Sequence, residues 1–216
     1  MRIETSDQIN NRLQHSNQQE PSVPVPMQIH DHRLSSARQI QCDNHNERPA
    51  DEISLLVIHN ISLPAGEFGG PYIEDLFCNR LDPAAHPDFV AIAALRVSAH
   101  LLIRRDGSLL QFVPFNRRAW HAGVSCYAGR EQCNDFSIGI ELEGTDDQPF
   151  TDQQYQQLIT VTRLLMQHYP AITAERITGH SDIAPERKTD PGPCFDWTYY
   201  LQQLQAPRSG DAHATC

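Results

Sequence analysis

Residues 178–197, TGHSDIAPERKTDPGPCFDW, set a histidine, a lysine and an aspartate in a short stretch whose prolines restrict the backbone and whose glycines permit tight turns. His180, Lys188 and Asp190 can therefore converge on one point. Far upstream the apolar run LLVIH closes on His59, and a strand that ends in a histidine delivers the imidazole to the rim of a sheet. Two imidazoles and one carboxylate make a three-ligand zinc set with a fourth position open to water. Hydrolysis of an unactivated bond is the natural use of such a centre.

Each of these residues also has a plainer reading. A lone strand-end histidine is more often a surface or core residue, and a lysine more often a solvated charge. The restricted stretch that carries Lys188 and Asp190 back toward His180 favours chemistry, because a cation beside a polarised carbonyl stabilises a developing oxyanion. Asp182, two residues from His180, is a rival ligand; an aspartate before Ile-Ala-Pro suits the N-cap of a short helix over IAPER better. Cys194 is read as a packed bystander. A metal hydrolase also needs a base, and Glu141 and Glu143 of FSIGIELEG both qualify. Trp120 and His121 in AWHAG suit the wall of a sugar or peptide pocket.

The elements that must position these residues follow from periodicity. Ile53 to His59 is apolar at successive positions, as a strand covered on both faces is. Arg96 to Ile103 and Leu109 to Val113 flank an Asp106-Gly107 turn and read as a hairpin. In FSIGIELEG, Phe136, Ile138, Ile140 and Leu142 face one way and Ser137, Gly139, Glu141 and Glu143 the other. Thr151 with Gln154 forms a capping box for a helix that Pro170 stops, and shorter helices are expected near Pro71 and Asp88. Strands and helices interleave, so the predicted class is α/β (α+β): one domain with a central mixed sheet flanked by helices.

A chain of 216 residues, 39% hydrophobic, supplies one core. Residues 1–28 are polar, pass through PSVPVP, and read as a flexible extension; 29–205 is the catalytic body and 206–216 a tail. His15, His30, His32 and His45 are expected to be solvated histidines in or near that extension. The net charge of −10 offers no bulk attraction to nucleic acid or an anionic membrane, leaving a small-molecule substrate as the partner. With no signal-type segment and six cysteines lacking CxxC spacing, a cytoplasmic address and reduced thiols are expected.

LLVIHNISLPAGEFGG, RVSAHLLIRRDGSLLQFVPF, RAWHAGVSCYAGRE, CNDFSIGIELEGTD and TGHSDIAPERKTDPGPCFDW together closely resemble the AmpD family of cytoplasmic 1,6-anhydro-N-acetylmuramyl-L-alanine amidases, over residues 30 to 204. They are also similar to the wider zinc amidases of phage-lysozyme and peptidoglycan-recognition type. The resemblance implies His59, His180 and Asp190 as zinc ligands, Glu141 as the catalytic carboxylate and Lys188 as the oxyanion-stabilising cation. It further implies that Asn60, Arg96, Trp120 and His121 line a muropeptide pocket. Phage-type relatives carry a tyrosine where Ala99 precedes His100, which leaves the base role here to Glu141, and a cysteine in place of Asp190; both choices look like the AmpD branch. Gln132 stands where an arginine often precedes CND, which weakens the hold on the distal stem peptide unless Arg130 substitutes.

By this resemblance the enzyme acts in peptidoglycan recycling, and its loss would raise β-lactamase expression where that circuit exists. A catalytically silent muropeptide-binding module would be expected to lack a ligand or the base, and all four are present. A lytic amidase acting on intact wall would be expected to carry an export signal and a wall-binding domain.

Overall fold

The computed structural model describes residues 26–206. Six strands form its main sheet: β1 (Arg38–Gln39), β2 (Leu55–Ile61), β3 (Leu101–Ile103), β4 (Leu109–Gln111), β5 (Ser137–Glu143) and β6 (Ile177–Gly179), in spatial order β6-β2-β5-β3-β4-β1. All pairings are parallel except the β3/β4 hairpin. β5 is buried at every position and β2 from Leu55 to His59, which is why both read as apolar without alternation.

One face of this sheet is mostly apolar, with the buried Gln111 as its polar member, bonded to the backbone of His32, Leu34 and Val113. Leu56, Ile58, Leu101, Ile103, Ile138, Ile140 and Leu142 pack there against Leu158, Val161 and Leu165 of helix α2 (Asp152–His168). The capping box is present: Thr151 Oγ1 accepts the Gln154 N–H and Gln154 Oε1 accepts the Thr151 N–H, each at 3.1 Å. Helix α4 (Trp197–Gln205) adds Tyr200, whose hydroxyl bonds Thr162 at 2.7 Å. On the other face, the short helix α1 (Tyr72–Phe77) and a 3-10 turn over Pro87–Ala91 cover Leu102, Leu110 and Phe112. Helix α3 (His180–Ile183) follows β6 without a loop.

Several expectations shift. The hairpin pairs Leu101 with Gln111 and Ile103 with Leu109 around Gly107 at φ +82, but its first strand is shorter than Arg96–Ile103 because the Ser98 N–H is taken by the Trp120 carbonyl. Phe136 precedes β5 and packs with Leu55 and Val57, the side opposite to Ile138. His32 and His45 are not solvated tail residues. His32 stacks on Tyr169 and bonds its hydroxyl at 2.7 Å, and His45 pairs with Ala119 in a two-residue ladder. His30 is exposed. Residues 1–25 and 207–216, and with them His15, Cys216 and most of the expected extension and tail, lie outside the described residues. Among the described residues Cys42, Cys78, Cys126, Cys133 and Cys194 form no disulfide, and no helix is long and apolar enough to cross a membrane.

Candidate metal centre and active site

The carboxyl ends of parallel strands are where α/β sheets place their sites, and β2, β5 and β6 end together here. Glu141 of β5 is the register partner of His59 in β2. Partners on adjacent parallel strands share a face at about 4.8 Å spacing, so the sheet itself sets the carboxylate beside the imidazole. His180 opens α3 directly after β6. The stretch after α3 returns to the same end: the Ser181 N–H donates to the Asp190 carbonyl at 2.9 Å, and Asn60 Nδ2 donates to the Pro191 carbonyl at 3.0 Å.

Three donor atoms meet at this point. His59 Nδ1, His180 Nδ1 and Asp190 Oδ2 are mutually 3.0 Å apart. Ligand atoms around a tetrahedral zinc lie about 3.3 Å apart, so the triangle fits one small cation with a fourth position open. Among the described residues this is the one group of such side chains close enough to hold a metal. The other ring nitrogens are engaged. His180 Nε2 lies 3.1 Å from the Ala122 carbonyl, which fixes it as the N–H and leaves Nδ1 free to ligate. His59 Nε2 lies 2.9 Å from His121 Nδ1.

Burial sets the charge states that a metal needs. Desolvation pushes the His59 imidazolium down to about 4, so the ring is neutral at pH 7. Burial also pushes Asp190 upward, but its hydrogen bonds to His180 and His59 outweigh that and hold the carboxyl below the usual range. Glu141 behaves oppositely. Desolvation, then the Asp190 charge, push its carboxyl well above the ordinary value, and Lys188 partly opposes this. Glu141 Oε2 is buried and has no hydrogen-bond partner among the described residues, an arrangement that costs stability unless something at the site uses the oxygen. Lys188 is exposed, yet its charge acts on both His59 and Glu141.

The remaining residues singled out in the sequence divide. Asn60 is bound to Asp146 Oδ1 at 2.7 Å as well as to Pro191, so its amide group braces the Asp190 segment. Trp120 is half-buried with Nε1 on Asn46, and Arg96 is exposed with its guanidinium on the Ala94 and Leu95 carbonyls. His121 is buried against His59, its ring on the backbone of β5, where a pocket wall was expected. Asp182 is not an N-cap over IAPER. The helix starts at His180 and ends at Ile183 before Pro185, and the Asp182 carboxylate reaches back to the Gly179 N–H at 2.9 Å. Glu143 accepts from Gly69, Arg104 and Arg105, away from solvent. Gln132 lines a cleft of about 660 Å³ with Arg118, Val124, Glu186 and Arg187. Arg130 is engaged with Glu52 and over the Phe136 ring.

The N-acetylmuramoyl-L-alanine amidase family model matches residues 49–193, which include every one of the converging side chains. The chain belongs to this amidase family. Of the family's curated members, the 1,6-anhydro-N-acetylmuramyl-L-alanine amidase AmpD of Escherichia coli is 64% identical over 168 residues, covering 77% of this chain and 91% of its own. A crystal structure of an AmpD selenomethionine derivative superposes with a TM-score of 0.81 at 60% identity, over 82% of this chain and 99% of that one. The amidase AmiD from E. coli, solved with anhydro-N-acetylmuramic acid-L-Ala-D-γ-Glu-L-Lys, matches at 28% identity and TM-score 0.53, over 82% of this chain and 65% of that one. The N-acetylmuramoyl-L-alanine amidase family thus gives this hydrolase its fold, an α/β sheet whose strand ends carry the donor set.

Sequence reasoning missed the residues behind that set. His100 accepts the Gly139 N–H at 3.0 Å, Arg48 donates to the Phe115, Asn134, Asp135 and Ser137 carbonyls, and the Ala122 carbonyl orients His180. No local pattern marks them, because every partner is distant along the chain.

Proposed function

We propose that this amidase is zinc-dependent and hydrolyses the amide between the lactyl group of 1,6-anhydro-N-acetylmuramic acid and L-alanine, acting in the cytoplasm on soluble muropeptides during wall recycling. The observation that carries the reading is the 3.0 Å donor triangle of His59, His180 and Asp190 beside the Glu141 carboxylate, whose Oε2 has no partner among the described residues, in a chain so similar to AmpD. Residues 29–205 are proposed as the catalytic body, with 1–28 and 206–216 as appendages.

His59, His180 and Asp190 would hold the metal as two neutral imidazoles and one carboxylate. Bound there, zinc supplies Lewis acidity toward the amide carbonyl and lowers the pKa of water to about 7. Glu141 takes the proton of the attacking water and delivers it to the leaving L-alanine nitrogen; its upward-shifted carboxyl suits a group that must both accept and return a proton. Lys188 places its positive charge against the developing oxyanion. Asn60 holds the Asp190 segment in place, and Arg96 and Trp120 are offered as substrate contacts at the rim.

The test is product release from anhydro-muropeptide and from intact sacculi, with and without a chelator. Chelation is expected to abolish hydrolysis and added zinc to restore it, with the soluble substrate preferred. Full activity of rigorously metal-free protein would end the zinc reading, and equal release from sacculi would move the enzyme to the lytic class.

A further inference from the structure

A ligating His59 Nδ1 forces the polarity of everything behind it. Nε2 must then carry the proton, and it lies 2.9 Å from His121 Nδ1, which must accept. A neutral His121 accepting at Nδ1 carries its own proton on Nε2, 3.2 Å from Ser137 Oγ. The Ser137 hydroxyl in turn donates to the Cys133 carbonyl at 2.5 Å, where the chain of donors ends on an atom that can only accept. All three side chains are buried. The ring of His121 has no room to move: a Cβ on Gly139 would stand 2.4 Å from His121 Cγ, and Asn134 Oδ1 holds the His121 and Ala122 backbone amides at 3.1 and 2.8 Å.

We propose that His121 is a positioning residue that fixes the tautomer and orientation of His59 for the metal, through a one-way hydrogen-bond chain ending at Ser137 and the Cys133 carbonyl. This rests on the zinc reading above. His180 has the same service from a single backbone carbonyl, so the two imidazole ligands differ in how they are held: one by the main chain, one by a side-chain relay that mutation can cut.

The experiment measures zinc affinity by competition with a chromogenic chelator, together with the visible spectrum of the cobalt-substituted protein and the Tm of metal-free protein. It compares wild type, His121→Phe, His121→Asn, Ser137→Ala and the double variant His121→Phe/Ser137→Ala. His121→Phe keeps bulk but removes the acceptor and is expected to weaken zinc binding about 10- to 100-fold. His121→Asn puts an amide oxygen near the Nδ1 position and is expected to recover most of that loss and the wild-type cobalt spectrum. Ser137→Ala falls between, and the double variant is expected to be no worse than His121→Phe alone, as for two links of one chain.

Wild-type affinity in folded His121→Phe, equal losses in the Asn and Phe variants, or additive losses in the double variant would each overturn the proposal. Should His121→Phe fail to fold, Ser137→Ala decides: weakened zinc binding at unchanged metal-free Tm supports it, and wild-type affinity overturns it. If wild type itself binds no zinc, the zinc reading falls and takes the inference with it; zinc binding indifferent to all variants removes the inference alone.

Discussion

Glu141 and Glu143 stand two residues apart on one face of β5, and the tertiary environment gives them opposite surroundings. Glu143 is saturated by Arg104 at 2.7 Å and by two backbone amides, whereas Glu141 Oε2 has no partner among the described residues. Glu141→Gln is therefore expected to keep the fold and zinc and lower kcat by about a hundredfold or more, the scale of a lost general base. Because it removes a buried, unpartnered charge, the same variant is expected to melt no lower than wild type without metal. Glu143→Gln is expected to show the reverse, with modest kinetic change but a stability loss of about 1 to 2 kcal/mol, because a buried charge-assisted hydrogen bond is weakened while Arg104 keeps Glu74 at 3.2 Å. Steady-state kinetics and thermal melts of both variants check this. A dead Glu143→Gln with an active Glu141→Gln would reverse the assignment.

At the scale of elements, β5 is shaped by what lies on it. Gly139 is glycine because the His121 ring occupies the space where a side chain would begin, so Gly139→Ala must push His121 or the strand aside. That variant is expected to lower both Tm and zinc affinity, measured in the same preparation; normal values of both would mean that the ring shifts without cost. The α2 face tolerates more. Thr151→Ala removes the capping oxygen from the Gln154 amide and is expected to cost about 1 kcal/mol of stability with unchanged kinetics.

For the whole molecule, acid is the informative stress. Burial pushes His100 down to about 3 and His59 to about 4, from 6.5. Below 6.5 the unfolded chain binds protons that the folded state refuses, so this contribution is full above 6.5 and is lost as pH falls through the folded values. Glu141 has the opposite sign, its burial cost appearing as pH rises above 4.5. The Tm of metal-free protein is accordingly expected to drop steadily from pH 6.5 toward about 4, and a flat profile would show that the buried histidines accept protons in the fold. Removing residues 1–25 is expected to leave activity and Tm unchanged. The cut stops there because Met27 packs against the core and the Gln28 N–H donates to Ser35, so a deletion reaching further would disturb the body.

The sequence by itself determined what is local or periodic: β2 and β5 as buried strands, the Asp106-Gly107 hairpin, the Thr151/Gln154 cap, and the residue types that meet at the strand ends. Those signals rest on interactions within a few residues, or on faces that must be apolar to be buried. What only the tertiary structure decided is how those side chains are used. Parallel register put Glu141 opposite His59; the fold buried His121 between His59 and the β5 backbone where a pocket wall was expected, and made Asp182 a back-bond to Gly179. The hydrogen-bond surroundings of Glu141 and Glu143 diverged for the same reason. Burial and hydrogen-bond partners are set by segments 39 to 121 residues apart, as for Glu143 with Arg104 and His59 with His180, and no short window of sequence contains both halves of such a contact.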